Sequence, residues 1–414
     1  VAYAIPMREY ALVFAIAVAV TFVATGLVRL LARRIGAVTA IRERDVHSVP
    51  TPRMGGVAVY IGVATAILMA FQLPKLSAAF GSSTEILGVL VAGGLICLVG
   101  VLDDRFDLDA ITKLAAQILA AGLLVVFGVQ WVVVWLPGGE NGTVNVLGQE
   151  QSVLITVLLT VILTNAMNFI DGLDGLLAGV ALISVIATFA FTAHVLWQSG
   201  DDASASQAPV MAAALAGALV GFLPHNFFPA RIFMGDSGSM FVGLSMAAMI
   251  TSAGGKLDSN SYGGRSTVAL LAPLIVALAV VFIPLLDFMM AVIRRTRAGR
   301  HPFSADKQHL HHRMLNIGHS HRQAVLIFYL WAVVLAGGAV ALSFFSWRTV
   351  LPFWTLGLVV AIGFSVGPRL RARKLGNRRK ADETDGPDAS ASSGGQDPTR
   401  GVLDRPVNNI SHDE

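Results

Sequence analysis

Apolar windows of about 17 to 25 residues, separated by short polar segments, recur along nearly the whole chain, a spacing suited to helices that cross a bilayer. They fall near 10–32, 55–73, 86–102, 113–130, 152–168, 174–197, 208–226, 237–253, 267–293, 323–345 and 350–368. This pattern predicts an all-α polytopic integral membrane protein of about eleven transmembrane helices. The 237–253 window is short and holds several small residues, and Pro273 and Pro284 should kink the long ninth window. Between the fourth and fifth windows, Trp131-Val-Val-Val-Trp135 followed by Leu-Pro-Gly-Gly reads as a short strand and turn, a small outer β element at the interface.

Lys and Arg are spread unevenly over the connecting segments. With the N-terminus outside, the inner segments hold 23 of them and the outer segments five, which orients the chain by the positive-inside rule. Composition supports the same class. Of 414 residues, 55% are hydrophobic and 14% charged, with a mean hydropathy of +0.68, whereas soluble domains carry roughly 25% charged residues. The single Cys97 lies in an apolar run, which excludes an internal disulfide framework and a cysteine metal cluster. No cleavable signal is evident at the first window. After Pro368 the chain turns basic from Arg369 to Lys380 and then rich in Asp, Ser, Gly and Pro. Residues 1–368 therefore read as a multi-span catalytic membrane domain and 369–414 as a disordered cytoplasmic tail.

The polar residues collect in four places, all on the inner side of this topology: Asp103-Asp104-Arg-Phe-Asp107-Leu-Asp109, Asn165-Ala-Met-Asn168-Phe-Ile-Asp171-Gly-Leu-Asp174-Gly175, Phe233-Met-Gly235-Asp236-Ser237-Gly238, and His301 to Arg313. Charge beside hydrocarbon is costly and by default functional. A transporter needs polar groups along a path near the bilayer midplane; here they crowd one face, which favours an enzyme joining a cytosolic substrate to a membrane-dissolved one. Asp171 and Asp174 at i,i+3 can share a helix face and a cation. Adjacent Asp103 and Asp104 repel unless a cation or proton lies between them. Asp236 suits a helix N-cap, and equally a phosphate-bound Mg²⁺ beside a helix N-terminus.

His309, His311 and His312, with Lys307 and Arg313, fit phosphate contact better than zinc, for which the chain offers neither cysteines nor a His-x-x-x-His pair. Arg294, Arg295 and Arg297 read as positive-inside anchors; His194, His225, His319 and His321 read as structural. Acidic and carboxamide clusters without soft ligands ask for Mg²⁺ or Mn²⁺, and basic loops on the same face ask for a polyanion. Together they imply phosphoryl transfer. Nothing points to nucleic acid.

These motifs resemble those of the polyprenyl-phosphate N-acetylhexosamine-1-phosphate transferases. The anchors are Thr51-Pro-Arg-Met-Gly-Gly56, Asp103-Asp104, Thr112-Lys113-Leu-Ala-Ala-Gln117, the Asn165–Gly175 run, Asn226 to Gly238, and Pro302 to Arg313, in that order over roughly residues 10–368. The resemblance implies attack of a polyprenyl phosphate (undecaprenyl or decaprenyl) on the β-phosphorus of a UDP-sugar, releasing UMP, at a cytoplasmic site in a bacterial inner membrane. It implies Mg²⁺ (or Mn²⁺) on Asp236, with Asp104 and Asp171 close to the metal-diphosphate. Asp103 matches the aspartate proposed to deprotonate the lipid phosphate, and Lys113 a phosphate-facing lysine. Asn168, Asp174, Asn226 and Phe233 match positions around the uridine, and Lys307, His309, His311, His312 and Arg313 the loop over the diphosphate-sugar.

The Pro302-Phe303-Ser304-x-Asp306-x-Gln308-His309-x-His311-His312 pattern resembles the N-acetylglucosamine branch, so UDP-N-acetylglucosamine is the expected donor and a cell-wall polysaccharide the expected destination. The phospho-N-acetylmuramoyl-pentapeptide branch differs in its last loop and in carrying a lysine where His47 is the nearest residue here. A homodimer is compatible with the family. The rival readings are an intramembrane prenyltransferase, suggested by Asp103-Asp104-x-x-Asp107, and a transporter.

Overall fold

The computed structural model describes residues 6–38, 51–81, 83–136, 143–199, 207–254 and 318–384, with scattered positions between 279 and 314. In chain order the elements are α1 (Met7–Arg34), α2 (Gly55–Ala70), α3 (Ser77–Gly81), α4 (Glu85–Phe106), α5 (Ala110–Val126), β1 (Val133–Leu136), β2 (Thr143–Val146), α6 (Gln149–Ile170), α7 (Leu176–Ser199), α8 (Gln207–Asn226), α9 (Gly235–Gly254), α10 (His321–Phe344) and α11 (Trp347–Thr384). Among the described residues, seven helices are long and apolar enough to cross a membrane: α1, α4, α6, α7, α8, α10 and α11 up to Gly367; α2 and α5 are shorter apolar helices. The chain is therefore an all-α, multi-pass membrane protein. The ninth sequence window, 267–293, lies outside the described residues apart from scattered helical positions.

The strand expected near Trp131–Trp135 runs from Val133 to Leu136 and pairs antiparallel with β2 in the register Val133 opposite Val146. The short α3 has no counterpart among the apolar windows. The compact unit Val1–Pro368 is followed by a second unit, Arg369–Glu414. The basic stretch that composition assigns to a structureless tail begins as a continuation of α11, to Thr384, because Arg, Lys, Leu and Ala are good helix formers.

Helix α9 is the centre of the first unit. Every residue from Ser237 to Ser252 is buried, and α9 packs on α2, α4, α6 and α8. Its Ser- and Gly-rich sequence explains why it is not among the seven apolar spans: its neighbours are other helices rather than lipid. The lipid-compatible surface lies at the periphery, where α11 leaves Phe353, Leu356, Val359 and Phe364 exposed and α1 leaves Phe22, Val23 and Leu27 exposed.

Small residues let the backbones meet, as membrane helix packing requires. A Cβ on Gly56 of α2 would lie 2.0 Å from the Gly238 nitrogen, and one on Gly100 of α4 would lie 2.3 Å from the Ser237 Cα. From the third side, a Cβ on Gly243 would fall 2.6 Å from the Thr164 Cα of α6. These obstacles are backbone, so they cannot turn aside. The segment before α2 is stitched to the one before α9: Phe233 N–H donates to the Pro52 carbonyl (2.8 Å), Gly55 N–H to the Phe233 carbonyl (3.0 Å) and Gly56 N–H to the Met234 carbonyl (2.9 Å). Consequently Gly56→Ala should destabilise the detergent-solubilised protein by about 1–3 kcal/mol, the usual cost of overpacking. Gly122→Ala, where a Cβ would meet nothing within 4 Å, should be neutral. Thermal unfolding of the two variants side by side checks this; equal midpoints would remove the close approach.

Candidate active site

The carboxyl end of α4, the amino ends of α5 and α9 and the carboxyl end of α6 meet at one end of the bundle. Gly235 begins α9 at φ +71°, a left-handed turn that glycine adopts without a Cβ penalty. A Cβ there would also fall 2.5 Å from an Asp104 carboxylate oxygen. The space is needed because Asp104, from α4, caps α9: its Oδ1 accepts from Asp236 N–H at 3.0 Å and its Oδ2 from Ser237 N–H at 3.2 Å. The first amides of a helix have no partners within the helix, and the positive end of its dipole favours a carboxylate.

Asp103 and Asp104 are neighbours, yet they do not compete for one cation. Helix α4 continues to Phe106, so the two side chains diverge. Asp103 Oδ1 accepts from Leu108 N–H (2.8 Å), and its Oδ2 pairs with Lys113 Nζ (2.8 Å). The same ammonium reaches Asp236 Oδ2 at 3.2 Å. Lys113 thus bridges two carboxylates delivered by helices α4 and α9. Asp109 caps α5, accepting from the amides of Ile111 and Thr112 at 2.9 Å each, and the Thr112 hydroxyl at 2.6 Å, followed by these amides, holds its carboxyl below the usual range. Asp107 ends α4 at φ +56°. The third acid of the prenyltransferase-like motif therefore turns the chain.

Asp171 follows the last turn of α6. Burial pushes its carboxyl up to about 7, reinforced by the Asp236 and Asp104 carboxylates; the Gly235 amide and the Arg53 charge pull the other way. Asn168, one turn earlier, donates to Ser239 Oγ at 2.8 Å and hydrogen-bonds Asp236. Behind it, Asn165 donates to Gln117 Oε1 at 2.6 Å, tying α6 to α5.

The structure therefore brings together Asp103, Asp104, Lys113, Asn168, Asp171 and Asp236. Asp174 and Asn226, both buried, brace the loop backbone. Asp174 Oδ2 accepts from Ala230 N–H at 2.8 Å, Asn226 Oδ1 accepts from Gly175 N–H at 3.1 Å, and Asn226 Nδ2 donates to the Ile232 carbonyl at 3.1 Å. Phe233 has its backbone fixed between Pro52 and Gly55 and its side chain half-buried. Lys307, His309, His311, His312 and Arg313 lie outside the described residues. Sequence reasoning gave no role to Ser239, took Arg53 only as one of the inner basic residues and read His321 as structural. Arg53 lies inside the quoted Thr51–Gly56 anchor, which was the available signal; Ser239 carried none.

Among the described residues, no three His, Cys, Asp or Glu side chains form a ready-made metal cage. The donor set nevertheless fits a hard cation completed by substrate. Mg²⁺ is usually held by one or two carboxylates plus phosphate oxygens and waters. Asp171 and Asp236 are suited to this, whereas both oxygens of Asp104 already serve the α9 amides.

Residues 86–254 match the family described as glycosyl transferase family 4. The chain is 52% identical over 367 residues to the decaprenyl-phosphate N-acetylglucosaminephosphotransferase of Mycolicibacterium smegmatis, covering 89% of this chain and 90% of that protein. It is 51% identical to the protein of the same name from Mycobacterium tuberculosis H37Rv, covering 89% and 91%. A probable undecaprenyl-phosphate N-acetylglucosaminyl 1-phosphate transferase of Bacillus subtilis is 32% identical over 341 residues, 81% of this chain and 86% of that one. With four-fifths or more of each chain aligned, the motifs and the fold lead to one conclusion: this protein belongs to the polyprenyl-phosphate N-acetylhexosamine-1-phosphate transferases of glycosyl transferase family 4.

Proposed function

We propose that this protein transfers N-acetylglucosamine-1-phosphate from UDP-N-acetylglucosamine to a polyprenyl phosphate, the first lipid-linked step of a cell-wall polysaccharide. The observation that carries the reading is Lys113 held between Asp103 and Asp236 at the amino end of α9, with Asp171 alongside. Names of the relatives support decaprenyl over undecaprenyl phosphate as acceptor, since the decaprenyl enzymes share 50–52% identity and the undecaprenyl ones 27–32%. The eleven apolar windows and the excess of Lys and Arg in the inner segments, 23 to five, support eleven spans with the N-terminus outside and a site facing the cytoplasm, and the bacterial relatives support a bacterial plasma membrane.

In this reaction an oxygen of the lipid phosphate bonds to the β-phosphorus of the nucleotide sugar. The bond from that phosphorus to the bridging oxygen breaks, and UMP leaves with the α-phosphate. The sugar C1–O bond is untouched, so the anomeric configuration is kept. Asp171 and Asp236 would hold Mg²⁺ or Mn²⁺, which supplies charge neutralisation on the diphosphate oxygens. Lys113 supplies a second positive charge at the same place. Asp104 keeps α9 and its dipole aimed at the anion, and Asn168 fixes the Asp236 carboxylate. Asp103 pairs with Lys113 and orients it, and through the family pattern it is also assigned to take the proton of the lipid phosphate. The loop of His309, His311 and His312, with Lys307 and Arg313, is assigned to the diphosphate-sugar through the family pattern alone.

Membranes carrying the protein should release UMP from UDP-N-acetylglucosamine only when polyprenyl phosphate and Mg²⁺ or Mn²⁺ are both supplied, and UDP-N-acetylmuramoyl-pentapeptide should release none. Absence of UMP with every nucleotide sugar would end the transferase reading; release with the pentapeptide alone would move the protein to the other branch. Lys113→Met and Asp236→Asn should each lower turnover by about 10²–10³, the scale for removing one preorganised charge-stabilising contact, at unchanged membrane abundance. Turnover near wild type in Asp236→Asn would exclude it from the reacting centre.

A further inference from the structure

Asp171 reaches the site from the turn 171–175, which lies beyond α6 and gains little from the helix's own hydrogen bonds. Within it, Gly172 N–H donates to the Ile170 carbonyl at 2.8 Å and Asp171 N–H to the Asn168 carbonyl only at 3.4 Å. The rest of the turn is held from outside, and α10 makes two of the contacts. His321 opens that helix and is buried; its Nε2 accepts from Asp174 N–H at 3.1 Å. Eight residues later, the Tyr329 hydroxyl donates to the Gly175 carbonyl at 2.5 Å. Gly175 and Gly179 open the slot for that ring: a Cβ on Gly179 would lie 2.0 Å from Tyr329 Cζ, and one on Gly175 would lie 3.3 Å from its hydroxyl.

The imidazole is itself set in place. Its ring lies 4.7 Å from that of Phe228, whose face also carries the Arg322 guanidinium at 5.3 Å. A nitrogen that accepts from an amide carries no proton of its own, so Nε2 of His321 is the unprotonated nitrogen in this arrangement. From these contacts we propose that His321 and Tyr329 are positioning residues for the transfer reaction. Acting through the Asp174 amide and the Gly175 carbonyl, they fix the turn that presents Asp171 to the reacting diphosphate. The role rests on the transferase reading for its consequence, though not for its geometry. Ångström-scale misplacement of a reacting group lowers rate far more than it lowers binding.

The test uses the full-length protein in lipid nanodiscs, with His321→Ala, His321→Gln and Tyr329→Phe. Hydrogen exchange of the peptide spanning 171–176 should quicken in His321→Ala and Tyr329→Phe and return toward wild type in His321→Gln, whose amide oxygen can accept the same bond. In the first two variants kcat for UMP release should fall about tenfold, the scale of one lost buried hydrogen bond, with KM for UDP-N-acetylglucosamine within about threefold of wild type; His321→Gln should recover most of kcat. Unchanged exchange in both His321→Ala and Tyr329→Phe would overturn the brace. Faster exchange with wild-type kcat would overturn the positioning role. A wild-type protein that releases no UMP would instead overturn the transferase reading, and the exchange arm would still decide whether the brace exists.

Discussion

The site depends on one contact, the Asp104 carboxylate on the first amides of α9. It is made where there is no room to replace it, because Gly56 brings the α2 backbone against Ser237 and Gly238 while Gly100 brings the α4 backbone against Ser237 and Asp236. The first amides of a helix have no partner within it, and leaving a buried donor unsatisfied costs about 1–3 kcal/mol. A carboxylate from α4 satisfies two of them and locks α9 in rotation as well as depth. Asp236 then has a fixed position, and Lys113 can span it and Asp103 at hydrogen-bonding distance.

The same constraint explains how so much charge collects at one end of an apolar bundle. Each acid has a stated counterpart: amides for Asp104, an amide and Lys113 for Asp103, Lys113 and Asn168 for Asp236, the Ala230 amide for Asp174. Asp171 accepts from the Gly235 amide and faces the Arg53 charge, yet burial and the neighbouring acids still push its carboxyl up to about 7. An anionic substrate arriving with a divalent cation would relieve that imbalance, and for this reason we place the cation between Asp171 and Asp236.

Much of this was legible in the sequence because carboxylates stand out against hydrocarbon. Asp103, Asp104, Asn168, Asp171 and Asp236 stood out in this way and Lys113 entered through the family resemblance; in the structure the six meet. What spacing could not tell is which way a buried acid faces. Asp174 reads as a partner of Asp171 at i,i+3, yet a tight turn separates them from any common helix and gives Asp174 to the Ala230 amide. Asn226 was read through the family resemblance as a position around the uridine, with its bond to Gly175 unseen. His321 read as merely structural because its partner is 147 residues away in the chain. Hydropathy marked α9 as merely short. Its central position follows from glycines whose meaning lies in what they touch.

The central claim is that the nucleotide-sugar diphosphate sits at the amino end of α9, between Lys113 and Asp171. A cryo-electron microscopy structure of the wild-type protein with UDP-N-acetylglucosamine and Mg²⁺ tests it directly. The account predicts diphosphate density within hydrogen-bonding reach of Lys113, with the cation on Asp171 and Asp236 and Asp104 still bonded to the α9 amides. Diphosphate density on Asp174 and Asn226, or a cation bound by Asp104 with its amide bonds broken, would contradict it.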